Sequence, residues 1–170
     1  MSSNIQIVRA KPNPAGKDKT SSGVPKPDQL VAEWVDIKNI GDEPVRFSTM
    51  ELHHTLFNER CVSLKKTERY WSSGGDAALE PGETLRVHTG RKEYENTLSA
   101  EDRGNGRWRA FAGLDRFVLN NRCGDCIHVF WTARDGTRYR DSASYDPNPP
   151  EGSVLYRRGE KLHPVAVGVY

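Results

Sequence analysis

The chain has 170 residues, with 25 Lys or Arg against 23 Asp or Glu and a formal net charge of +2. That length suits one domain with a sizeable core. No apolar run approaches the roughly 20 residues of a membrane helix, which excludes a spanning helix, and so mild a charge does not by itself call for nucleic acid.

The first residues, Met1 to Arg9, carry neither a basic leader nor a long apolar stretch, so no secretory signal is read there and a cytoplasmic protein is expected. Ile5 and Ile7 alternate with Gln6 and Val8, as in a first strand. From 11 to 29 the chain is rich in Pro, Lys, Ser and Gly, and a long mobile connection is expected. Residues 31–40 then read as a strand, with Val35 and Ile37 facing one way and Asp36 and Lys38 the other. Gly41-Asp42-Glu43-Pro44 turns the chain, and Val45, Phe47, Leu52, Leu56 and Phe57 continue in strand-like pieces. In Glu80-Pro81-Gly82-Glu83 the Pro and Gly stand where a turn favours them. Leu85 and Val87 face inward on the strand that follows. Residues 90–113 are polar and charged and read as a long insertion loop, with a helical turn at Ser99-Ala100-Glu101-Asp102.

Residues 115–131 read as an apolar strand, a turn of Asn, Gly and Asp, and a second apolar strand. A third strand follows Arg134-Asp135-Gly136. A two-residue turn at Asp135-Gly136 would pair Trp131 with Arg140 and Val129 with Ser142, leaving the apolar face half charged. A three-residue loop with Gly136 in the left-handed region pairs Trp131 with Tyr139, Val129 with Asp141 and Ile127 with Ala143. Burial selects the second register. The outer face then carries His128, Phe130, Arg138 and Arg140, with Phe130 opposite Arg140 in a pair able to stack. The plainer alternative is a solvated face covered by arginine stems.

After Tyr145 the chain turns Pro-rich, and residues 147–170 read as an extension. Val154, Leu155, Tyr156, Val165, Val167 and Val169 there would add a strand or pack on the surface. No segment sustains a helical apolar period. Short strands with frequent turns point to an all-β sandwich of two antiparallel sheets with long polar loops.

Several pieces stand in an order that resembles the lamin tail domain in its bacterial form. They are residues 10–18 after the first strand, Glu33-Trp34-Val35-Asp36-Ile37-Lys38-Asn39-Ile40-Gly41-Asp42-Glu43-Pro44-Val45, residues 79–90, and Val118-Leu119-Asn120-Asn121-Arg122-Cys123-Gly124-Asp125 with its hairpin. Together they span residues 4 to about 145. Met50 and Leu119 stand where that family has aromatic residues, and residues 90–113 form a longer loop than is usual there. The resemblance implies an immunoglobulin-like β-sandwich over residues 1–146 that serves as a structural or interaction module, without catalytic residues or a cofactor.

Among candidate sites, Cys123 and Cys126 form a C-x-x-C that could supply half of a zinc site, with Cys61, His53, His54 or His128 completing it. A redox pair and a local disulfide are further alternatives, and ordinary thiols are the expected state. His53 and His54 are adjacent on a strand and point to opposite faces, so they do not share an ion. Glu33, Asp36, Asp42 and Glu43 are close in sequence, but around a strand and turn such residues serve solubility and turn formation. The chain has no G-x-S-x-G, phosphate-cradling glycine loop or H-E-x-x-H. Arg103, Arg107, Trp108, Arg109, Phe111 and Arg116 mix basic and aromatic side chains. With His128, Phe130, Arg138 and Arg140 they form the expected partner surface. A protein partner is expected. Nucleic acid is the alternative, a small hydrolase a minor one, and exposed sheet edges would allow a homodimer.

Overall fold

The structure, a computed structural model, describes residues 4–164. The expectation of an all-β chain holds, but the ladder is not two purely antiparallel sheets. Ten strands follow one another in a single curled, mixed sheet, and a two-stranded ribbon lies apart from it. The strands of the large sheet are β1 (Ile5–Lys11), β2 (Trp34–Asn39), β4 (Glu51–Phe57), β5 (Ser63–Ser72), β7 (Thr84–His88), β8 (Trp108–Phe111), β9 (Asp125–Thr132), β10 (Arg138–Tyr145), β11 (Leu155–Arg158) and β12 (Lys161–His163). The ribbon pairs β3 (Val45–Arg46) with β6 (Ala78–Leu79). The order is β5-β4-β9-β10-β12-β11-β1-β2-β7-β8. Two neighbours run parallel, β7 with β8 and β10 with β12. The first arises where the 89–107 connection brings the chain back beside β7. The second arises where the Pro-rich segment leads into β11 and β12, which bridge β1 to β10 within the sheet. Val165, Val167 and Val169 lie outside the described residues.

Alternation builds one core. Val35 and Ile37 of β2, Leu85 and Val87 of β7, and Ile127, Val129 and Trp131 of β9 all enter the same buried cluster. β1 breaks the period of two. Ile5 and Ile7 are buried, then Ala10, because the ladder with β2 slips between Ile7 and Arg9. Without that bulge the alternation would send Arg9 into the core. With it, Arg9 pairs across from Asp36 on the outer face.

The expected strand over 31–40 begins later than its apolar run suggests. Pro27 opens a short helix, α1 (Pro27–Ala32), and Leu30, Val31 and Ala32 are buried on it. A run this short does not distinguish helix from strand by period alone. Gly90 lets this turn pack closely, since a Cβ there would lie 2.7 Å from the Val31 nitrogen. Residues 11–29 are tied down rather than loose. Asn13 Nδ2 donates to the Pro149 carbonyl, Gly152 donates to the Asn13 carbonyl, and the Gly16 amide donates to Glu151. Within 90–113, residues 92–97 form a 3-10 turn and α2 (Ala100–Arg103) follows, with the Ser99 hydroxyl accepting from the Asp102 amide as its cap.

The apolar run at 116–119 is not a strand, although Val118 and Leu119 are buried. Their amides donate to the Glu33 carboxylate, which takes the place of a ladder partner. The final hairpin has the expected register throughout, with Gly136 at φ +88°. At the far edge of the sheet, β5 meets β4 with two register shifts and carries Lys65 at φ +56°. Bulges and lysines blunt an edge against pairing with another chain.

Candidate binding cleft

On the outer face of β1, β2 and β7, a cleft of about 470 Å³ opens between these strands, the end of α2 and the start of β8. Its charged lining is Arg9, Arg86, Arg103 and Arg107 against Asp36 and Glu83, four cations to two anions, with Trp108 and Tyr156 beside them.

Asp36 organises the floor. It is 1% exposed, and a carboxylate so buried needs charged partners. Arg86 grips it with two donors, Nε to Oδ1 at 2.7 Å and Nη2 to Oδ2 at 2.8 Å. The Arg9 Nε donates to Oδ2 at 2.8 Å. Such a paired fork fixes geometry as well as charge. The Arg86 Nη1 reaches the Glu101 and Asp102 carbonyls at the end of α2, and its guanidinium lies 3.4 Å from the Trp34 ring centre. Gly104, at φ +65°, is required there because a Cβ would meet the Arg86 Nη1 at 2.9 Å. Beneath this layer the Asp102 carboxylate accepts from Lys11 Nζ at 2.7 Å and from Trp34 Nε1 at 2.9 Å, which anchors α2 to β1 and β2.

The rim is looser. Glu83 accepts from its neighbour Glu80's amide at 2.9 Å and from Trp108 Nε1 at 3.1 Å, with Arg107 at 3.6 Å. The Glu80 amide, then Trp108 and Arg107, hold the Glu83 carboxyl below its ordinary range. Arg107 also lies over the Trp108 ring at 4.6 Å, and Trp108 packs against Phe47 at 4.9 Å. Among the described residues the two terminal nitrogens of Arg9 have no partner, and Arg103 makes one long contact, 3.5 Å to the Asn96 carbonyl. These, with the exposed Arg107 guanidinium, whose ion pair to Glu83 is long at 3.6 Å, are the donors available to a ligand.

The structure divides the partner surface expected from sequence. Arg107 and Trp108 line the cleft, and Arg109 is exposed next along β8. Arg116 instead reaches β5, donating to Glu68 at 2.7 Å. His128, Phe130, Arg138 and Arg140 do share the outer face of β9 and β10, near the other end of the strand order. His128 is 8% exposed and committed inside the sheet, with Nδ1 at 2.7 Å from the Ser142 hydroxyl and Nε2 at 2.9 Å from that of Thr55. Burial, reinforced by Arg140, lowers its pKa. Phe130 faces Arg140 in register, but the guanidinium over its ring belongs to Arg138, at 5.7 Å. Arg138 is further held by the Thr49 carbonyl and Glu51, while Arg140 remains exposed.

The histidine pair splits as expected. His53 lies with Glu51 and Thr67, and His54 turns inward to Asp125 and Glu68. Burial works against a charge on His54, but Asp125 and Glu68 outweigh it and raise the pKa. The cysteines differ from expectation. Cys123 is bonded to Cys61, 62 positions away, and Cys126 keeps a free thiol. The C-x-x-C is therefore neither a metal half-site nor a local disulfide. Among the described residues no group of three His, Cys, Asp or Glu could hold a metal ion.

Sequence reasoning missed Arg9, Arg86 and Tyr156 as members of one site. The available signal was the spacing of Ile5, Ile7 and Ala10, which betrays the bulge that turns Arg9 outward. No protein-family model matches the chain, and no curated protein matches it.

Proposed function

We propose that the protein is a non-enzymatic interaction module that holds an acidic segment of a partner protein in the arginine cleft. The observation that carries this reading is the excess of guanidinium groups around one concave site, with Arg9 and Arg86 fixed in place by a buried carboxylate. Positions fixed before binding reduce the ordering cost of association. An immunoglobulin-like sandwich of the lamin tail kind belongs to the same proposal. Its support is the ordered set of motifs together with the all-β core.

Against a hydrolase, the acidic candidates do not converge on open space. Glu33 is fully buried with Thr89 and two backbone amides, and Asp36 is neutralised by two arginines. Against nucleic acid, Arg107 covers one face of Trp108, so a base could stack on that face only after Arg107 moved. The blunted β5 edge supports a module acting as a monomer. The Cys61–Cys123 bridge supports an oxidising compartment over the cytoplasm expected from the first residues.

The test is an array of short peptides probed with the full chain and with an R103Q/R107Q variant. Acidic peptides should bind the first and lose most of that binding to the second. Equal binding by both proteins, or no acidic peptide retained at all, would reject the cleft as the contact site.

A further inference from the structure

Building on the acidic-partner reading, we infer that the cleft takes a phosphate monoester, the dianion carried by a phosphorylated side chain, in preference to a carboxylate. Two independent matches support this. The lining carries four arginines and two carboxylates, leaving a surplus of two positive charges. A phosphate monoester approaches two negative charges near neutral pH, whereas a carboxylate brings one.

The second match is in the donors. A carboxylate has two oxygens, and a single guanidinium fork satisfies both. Here Arg9, Arg103 and Arg107 approach the cleft from three different segments: β1, the end of α2, and the connection before β8. The terminal nitrogens of Arg9 are unpartnered among the described residues and those of Arg103 are nearly so. Donors arriving from three directions suit the three peripheral oxygens of a phosphoryl group. Asp36 does not compete with the ligand, because Arg9 and Arg86 already hold it from within the sheet. Glu83 is tied to the Glu80 amide, Trp108 and Arg107, which turns its charge to the rim.

The second ionisation of a phosphate ester gives a readout that carboxylate binding lacks. That proton is lost near pH 6, so affinity should rise as pH passes from about 5 to about 7.5. The charged groups facing the cleft are the four arginines, Asp36 and Glu83, together with the Tyr156 phenol. His163 stands opposite Tyr156 on β12, and working in an H163Q background keeps its protonation out of the profile.

The experiment uses three fluorescein-labelled peptides of one sequence, carrying phosphoserine, glutamate or serine at the centre, titrated into the full chain. At pH 7.5 the phosphopeptide should bind at least about tenfold more tightly than the glutamate peptide, and the gap should narrow to about threefold or less at pH 5. R103Q/R107Q, whose altered side chains are exposed, should abolish the preference while circular dichroism shows an unchanged fold. Inorganic phosphate as competitor separates the group from its carrier. Displacement at millimolar concentrations or above places recognition in the peptide as well as the phosphoryl group, and displacement at micromolar concentrations places it in the phosphoryl group alone; both agree with the inference. Glutamate binding as tightly as phosphoserine at pH 7.5 overturns the inference and leaves the acidic-partner reading intact. Failure of all three peptides and of phosphate to bind overturns both. A single-stranded oligonucleotide that outcompetes the phosphopeptide would assign the cleft to a phosphodiester and overturn the inference.

Discussion

Replacing Glu33 by Gln should change how stability depends on pH, because of where its carboxyl is held. Oε1 accepts from the Thr89 hydroxyl at 2.6 Å and from the Val118 and Leu119 amides at 3.2 and 3.3 Å. Oε2 is buried without a partner among the described residues. Burial raises the pKa from 4.5 to about 7, against the pull of those three donors and with help from the Asp125 charge. The folded protein therefore binds the Glu33 proton more tightly than the unfolded chain does. The resulting stabilisation is complete below pH 4.5 and is lost as pH rises through 7, amounting to about 3 kcal/mol. His88 works in the opposite sense. Its Nδ1 lies 2.6 Å from the Val31 carbonyl, and burial lowers its pKa to about 4. Its contribution is complete above pH 6.5 and is lost as pH falls through 4. The two slopes oppose each other across much of the acidic range, so the wild-type curve alone is uninformative. The difference between wild type and E33Q isolates Glu33. In urea unfolding followed by tryptophan fluorescence, the stability of wild type relative to E33Q should fall by about 3 kcal/mol between pH 4.5 and 8, at unchanged m-value. Below pH 4.5 the protonated carboxyl and the Gln amide both bury a donor without a partner, so the two proteins should differ little there and E33Q should be the more stable one at pH 8. Parallel stability curves for the two proteins would refute the buried-carboxyl argument.

Two further predictions concern the frame around the cleft. The Cys61–Cys123 bridge closes a loop spanning 62 positions, which chain entropy converts to about 4 kcal/mol; C61S/C123S should lower the urea midpoint accordingly, C126S should not, and a midpoint unmoved by the double substitution would remove the bridge from the stability argument. Deleting Val8 removes the extra residue of the β1 bulge and leaves Ile7 inward, Arg9 outward and Ala10 inward by plain alternation. The deletion variant should therefore fold cooperatively and keep the cleft, as should V8A. A deletion variant without a cooperative urea transition would show that the extra residue does more than correct the phase of β1.

What could be read from the sequence depended on whether local chemistry and burial agreed. In the final hairpin Gly136 offered a left-handed position, and only one register set Tyr139 and Ala143 rather than Arg140 and Ser142 on the face of Ile127, Val129 and Trp131, so turn and core gave the same answer. The helical turn at 99–102 was legible because its residues and its Ser99 cap are local to one another. Elsewhere the deciding partner was remote. β5 is a strand because β4 pairs with it, not because Lys65, Lys66, Glu68 and Arg69 alternate. Residues 118–119 escape the sheet because a carboxylate 85 positions earlier takes the Val118 amide. The cysteine pairing was hidden for the same reason: the nearest cysteine, Cys126, points along the outer face of β9, and the true partner lies beyond the tip of β4.

The cleft follows the same logic. Arg9 and Arg86 look unremarkable in their own segments, because lone arginines in strands usually cover solvated faces. What groups them is Asp36, a residue that a two-faced strand would normally send to water. The bulge in β1 puts Arg9 across from it, the antiparallel ladder with β7 puts Arg86 across from it on the other side, and Arg86 then holds the end of α2 through two carbonyls. Arg103 and Arg107 are delivered by that last contact. One buried carboxylate thus sets the position of four cations on four parts of the chain, so the site is a property of sheet order and phase rather than of any contiguous motif. That dependence also orders the experiments. Substitutions at Arg103 and Arg107 test what the cleft binds, whereas substitutions at Asp36 test whether the cleft exists.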